Sequence, residues 1–132
     1  GVAEHPTQAL VDLFTIYQNF GHWNLTVALY GDLKFGRTNH SLLLAGARLG
    51  IKFICIAPDE LQMPAQYLAE IKPFTEVILA NDLKNYYSEI DVLYVSRLQK
   101  ERLPTHLDYA DLHRQFLVNQ QTLNKLNKGC II

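Results

Sequence analysis

The chain has 132 residues, of which 48% are apolar and 19% charged; this is enough for one domain with a packed core and excludes a disordered chain. Its formal net charge of −1 comes without any basic cluster, so neither nucleic acid nor an anionic membrane surface is an expected partner. No apolar stretch is long enough to span a bilayer and the first residues lack the charged-then-apolar pattern of a secretion signal, which makes a cytoplasmic location the expectation.

In chain order, His5-Pro6-Thr7-Gln8 leads into Leu10, Leu13, Phe14, Tyr17 and Phe20 at helical spacing, predicting a helix over residues 5–20. Pro6 suits its first turn, where an N–H would have no partner. Gly21, His22 and Trp23 end that helix, and residues 25–30 read as a first strand. A polar loop, Gly31-Asp32-Leu33-Lys34-Phe35-Gly36-Arg37-Thr38, then opens a helix rich in leucine and alanine that Gly50 stops. Residues 51–57 form a second strand, 63–72 a helix that Pro73 ends, 74–80 a third strand, 82–88 a short helix and 91–95 a fourth strand. Beyond a charged loop over 96–103 come helices at 107–116 and 119–126, and Gly129-Cys130-Ile131-Ile132 begins like a fifth strand. An apolar strand with no cover behind it is the expected mark of a domain cut short. Alternating strands and helices predict an α/β fold: a doubly wound, Rossmann-like parallel sheet of about five strands in the order 3-2-1-4-5, with helices on both faces.

The loop at 31–38 places the unpaired N–H groups of a helix start at the carboxyl edge of the sheet, with Arg37 and Thr38 in the first turn, where a carboxylate or phosphate is favoured. Arg97 leaves the fourth strand as Arg37 leaves the first. In the expected strand order these two are neighbours at the switch point, so both arginines face one crevice and offer bidentate forks to a dicarboxylate, with Gln99 as a neutral donor. Solvated surface charges are the plainer alternative for both loops. His5 and Gln8, three apart, present an imidazole and an amide on the same side of one helical turn. Thr7, His22, His40, His106 and His113 read as caps or surface groups with no catalytic role. Cys55 and Cys130 lie in apolar runs and read as reduced, buried thiols rather than nucleophiles. With no CxxC or HxxxH pair, no metal site is expected.

Three of these segments, His5-Pro6-Thr7-Gln8-Ala9-Leu10, the 31–38 loop with His40-Ser41 after it, and Arg97-Leu98-Gln99-Lys100-Glu101-Arg102, resemble signatures of aspartate carbamoyltransferase, in order and at fitting intervals; Met63-Pro64 resembles it too. The resemblance covers essentially the whole chain. The related ornithine enzyme shares the His-Pro-Thr-Gln motif but differs where this chain has Gly36-Arg37-Thr38 and Arg97-Leu98-Gln99. Asn39 stands where a valine is common.

The resemblance implies transfer of the carbamoyl group of carbamoyl phosphate to L-aspartate, giving N-carbamoyl-L-aspartate in pyrimidine synthesis, without metal or organic cofactor. It implies that His5 hydrogen-bonds the carbonyl oxygen, that Gln8 holds the carbamoyl amide, and that Arg37, Thr38, Arg97 and Gln99 bind aspartate. The family's Ser-Thr-Arg-Thr phosphate loop and the His-Pro-Leu-Pro-Arg segment near its C-terminus do not occur in the sequence. The expectation is therefore a single aspartate-binding domain over 1–132, with 5–20 as the parent's interdomain helix and the carbamoyl-phosphate domain and C-terminal segment missing. A parent homotrimer, with regulatory or fused pathway partners, is implied as well. The alternative is a non-catalytic homologue kept for assembly, against which the retention of His5, Gln8, Arg37, Arg97 and Gln99 counts. A dinucleotide-binding domain is disfavoured, because the first loop lacks G-x-G-x-x-G spacing.

Overall fold

The computed structural model describes residues 4–96 and Ala110, with side chains from Thr7 onward. The elements in order are α1 (Glu4–Phe20), β1 (Thr26–Tyr30), α2 (Arg37–Arg48), β2 (Lys52–Ile56), a 3-10 turn (Asp59–Leu61), α3 (Ala65–Ile71), β3 (Val77–Ala80) and β4 (Val92–Val95). The side chain of His5, the loop carrying Arg97 and Gln99, the expected helix at 119–126, Cys130 and the expected fifth strand lie outside the described residues.

Among the described residues all three strand pairings are parallel, in the order β3-β2-β1-β4. This is the expected 3-2-1-4 progression with its switch point between β1 and β4. β1 and β2 are central and buried on both faces, which is why they read as unbroken apolar runs rather than alternating ones. Residues on one face, among them Val27, Leu29, Phe53 and Cys55, pack with Leu13 and Ile16 of α1, Leu42 and Leu43 of α2 and Ile71 of α3. On the opposite face Ala28, Tyr30, Ile54, Ile56 and Leu93 are covered by Leu61, Leu83 and Ile90.

Local chemistry sets the boundaries. Gly21 takes φ +74° and its N–H bonds Tyr17 O, closing α1. α2 ends in a paired stop, in which the Gly50 N–H bonds Ala47 O and the Ile51 N–H bonds Gly46 O. β3 is shorter than the expected 74–80 strand, because the Phe74 and Thr75 N–H groups are spent on Ile71 O at the end of α3.

The short helix expected over 82–88 is not formed: residues 84–89 are turns. The Asp82 carboxylate takes the Lys84 N–H, and the bonds that follow, Tyr86 N to Leu83 O and Glu89 N to Tyr86 O, each span three residues. Local side-chain capping and the anchoring of Leu83 and Ile90 on the sheet outweigh a helical preference in so short a segment.

On α1 the buried stripe is Ala9, Leu13 and Ile16, whereas Leu10, Val11, Phe14 and Tyr17 are exposed. Helical spacing identified the helix, but two apolar stripes share it and only one meets the core.

Candidate functional site

At the carboxyl edge of the sheet the ends of β1 and β4 lie side by side. Gly31, at φ +124°, follows β1, and a Cβ there would lie 2.2 Å from Ser96 O. Only glycine lets the two chain exits approach this closely. The Ser96 N–H donates to Tyr30 O at 2.8 Å, so the pairing of β4 with β1 runs to the last described residue before Arg97.

Asp32 is buried, and its Oδ1 accepts the N–H groups of Lys34 (3.1 Å) and Phe35 (2.9 Å). That side-chain turn bends the loop so that Gly36 precedes α2. No side chain caps the helix and its first turn holds no acidic residue. Arg37, exposed, and Thr38, half-buried, stand in that first turn, with the Asp32 carboxylate held in the loop before it.

Two residues of this turn point inward. Asn39 Nδ2 donates to Asp32 O at 3.2 Å and to Ser96 Oγ at 2.5 Å. His40, expected as a cap or surface group, is instead buried: its Nε2 lies 2.7 Å from Leu33 O and its ring stacks on Tyr67 at 4.3 Å between centroids. A carbonyl oxygen only accepts, so Nε2 carries the proton. Burial pushes the imidazole pKa below its ordinary value, against the opposing pull of the Leu33 hydrogen bond. A neutral ring that staples the loop to α3 is structural, and a lone histidine in a sequence carries no sign of that choice.

A second network links α1 to this edge. The Tyr94 hydroxyl donates to Asp12 Oδ2 at 2.8 Å, and Gln8 Nε2 donates to Asp12 Oδ1 at 3.1 Å. The Thr38 side chain lies near the same hydroxyl. The tyrosine pKa is raised to about 12 by burial first, then by the Asp12 hydrogen bond and charge, with Thr38 opposing. Gln8, at the start of α1, is thereby joined through Asp12 to Tyr94 of β4, which Thr38 adjoins. Neither connector was a candidate: the i, i+4 spacing of Gln8 and Asp12 was legible, but the Asp12–Tyr94 contact is 82 residues long-range. Arg97 and Gln99 follow Ser96 in sequence and lie outside the described residues.

An open parallel α/β sheet with its switch point between β1 and β4, and with Arg37 in a helix start that no side chain caps, defines the class: a doubly wound α/β domain. Residues 23–132 match the family model for the Asp/Orn binding domain of aspartate/ornithine carbamoyltransferase, and the chain belongs to this family. It is 38% identical, over its whole length, to the aspartate carbamoyltransferase catalytic subunit of Picrophilus torridus and 41% identical, over 93% of its length, to that of Methanobrevibacter smithii. It spans 43% and 40% of those two proteins. Among solved structures, the catalytic subunit of M. jannaschii aspartate transcarbamoylase superposes with a TM-score of 0.86 at 32% identity, over 96% of this chain and 43% of that one. The Trypanosoma cruzi enzyme in complex with carbamoyl phosphate and aspartate gives 0.84 at 31% identity, over 96% and 42%.

Proposed function

We propose that this chain supplies the aspartate-binding half of an aspartate carbamoyltransferase active site. The observation that carries the reading is the uncapped start of α2, with Arg37 in its first turn, lying beside the β4 exit that leads directly to Arg97. Two guanidinium forks and a helix start suit a small dicarboxylate, and the relatives are aspartate carbamoyltransferase catalytic subunits.

In this reading Arg37, Thr38, Arg97 and Gln99 hold the carboxylates of L-aspartate, leaving its amine free to attack the carbonyl carbon of carbamoyl phosphate. The new C–N bond forms as the C–O bond to phosphate breaks; phosphate leaves with the bonding pair and takes up the proton that the amine gives up. His5 hydrogen-bonds the carbonyl oxygen as it gains charge, and Gln8 holds the carbamoyl amide. The chemistry needs positioning and charge stabilisation more than a reactive side chain. Phosphate contacts come from a separate carbamoyl-phosphate domain that α1 adjoins, in a cytoplasmic homotrimer that also accommodates regulatory or fused pathway partners. Because one oxyanion-type donor is worth about 100- to 1,000-fold in rate, the 132-residue chain by itself is expected to lack turnover while retaining weak dicarboxylate affinity.

Calorimetric titration of the chain with L-aspartate and with succinate, beside an assay for carbamoyl-aspartate, tests this. Binding that Arg37→Ala or Arg97→Ala abolishes, without turnover, is expected. Failure of both dicarboxylates to bind would overturn the site assignment, and turnover at an ordinary enzymatic rate would overturn the need for a second domain.

A further inference from the structure

We propose that Asn39 is a positioning residue of this edge of the sheet, its buried amide latching the exit of β4 to the loop that enters α2 and so fixing where Arg37 stands relative to that exit. The proposal rests on the dicarboxylate reading above and adds a residue to which no ligand role falls.

Asn39 is fully buried, and both its amide protons are committed: one to Asp32 O, within the loop, and one to Ser96 Oγ, 57 residues away. Its Oδ1 is buried without a partner among the described residues. Turning the amide over would not relieve this, since it would set the carbonyl oxygen against Asp32 O. A stranded buried acceptor is costly, and an aliphatic side chain of similar size would avoid it. What asparagine supplies in exchange is the tie between the loops.

The surroundings leave the latch little slack. A Cβ at Gly36 would lie 2.6 Å from Asn39 Nδ2 and 2.5 Å from Asp32 O, and one at Gly31 would meet Ser96 O. Three stretches of backbone thus converge on one side chain. Asn39 lies two residues after Arg37, so a shift at the latch moves the Arg37 fork relative to the β4 exit. Bidentate grip on a carboxylate depends on that placement.

The test compares the 132-residue wild-type chain with Asn39→Val, Ser96→Ala and the double variant, using succinate calorimetry, thermal melting and amide hydrogen exchange read by NMR. The latch predicts that Asn39→Val weakens succinate about tenfold. It also predicts that the double variant is no worse than Asn39→Val alone. Exchange of the Ser96 N–H should accelerate in Asn39→Val while that of Leu29 at the sheet centre does not. Unchanged Ser96 exchange would overturn the latch. Accelerated exchange, or a lower melting temperature, with unaltered succinate affinity would overturn the positioning role and leave a structural one. If wild type binds no succinate the dicarboxylate reading fails, and the exchange measurement still decides whether the latch exists.

Discussion

Gly31 illustrates how much the candidate site depends on single atoms. Its φ of +124° is strained for any side chain, and a Cβ there would also meet the Ser96 carbonyl at 2.2 Å. Gly21, at φ +74°, has no atom within 4 Å of the same construction. Backbone strain and steric displacement together predict a loss of about 3 kcal/mol for Gly31→Ala, whereas Gly21→Ala loses about 1 kcal/mol from strain alone. Urea denaturation of the two variants checks the ranking; equal losses would show that the β1 and β4 exits are not in close contact. The same contact brings Asn39 and Ser96 within hydrogen-bond range, so one glycine underlies the approach of the β4 exit to the loop that enters α2.

At the scale of elements, the Tyr94–Asp12 bond fastens α1 to β4. Tyr94→Phe removes a hydrogen bond to a charged group at a half-buried position, and after allowance for solvent screening the expected loss is about 1 kcal/mol at neutral pH. The pH dependence has a defined sign. The folded-state pKa of Tyr94, about 12, exceeds the ordinary value of 10.0, so this stabilisation is complete below pH 10 and disappears as pH rises towards 12. Tyr30, also raised to about 12, and Cys55, raised from 9.0 to about 12, both chiefly by burial, act in the same direction. Wild type is therefore expected to lose stability progressively between pH 9 and 12. Its advantage over Tyr94→Phe should be constant from pH 7 to 9 and gone by pH 12; denaturation curves at pH 8 and pH 11.5 test this, and a gap that widens with pH would contradict it.

For the whole molecule, the exposed stripe of Leu10, Val11, Phe14 and Tyr17 on α1, with relative exposures of 65%, 53%, 63% and 46%, is the prominent uncovered surface of that helix. Such a stripe favours association when nothing covers it. Light scattering on a size-exclusion column is expected to show the apparent mass of the 132-residue chain rising with concentration, and Phe14→Ser to reduce that rise. A strict monomer at high concentration would count against this. The chain spans 43% of the P. torridus relative, and in the proposed function the surface of α1 adjoins the carbamoyl-phosphate domain.

Sequence alone determined the order and type of the main elements, because central strands buried on both faces read as apolar runs and the glycines at 21 and 50 mark helix ends. It also determined the family, because contiguous motifs with Gln8, Arg37 and Thr38 are local strings whose chemistry is legible without a fold. The turns at 84–89, the inward orientation of His40 and the choice between two apolar stripes on α1 were decided by tertiary structure, since each depends on which surface the segment meets. The links Asp12–Tyr94 and Asn39–Ser96, spanning 82 and 57 residues, were decided there too. Periodicity constrains neighbours along a chain; hydrogen bonds across a switch point exist only once parallel pairing has brought β1 and β4 side by side.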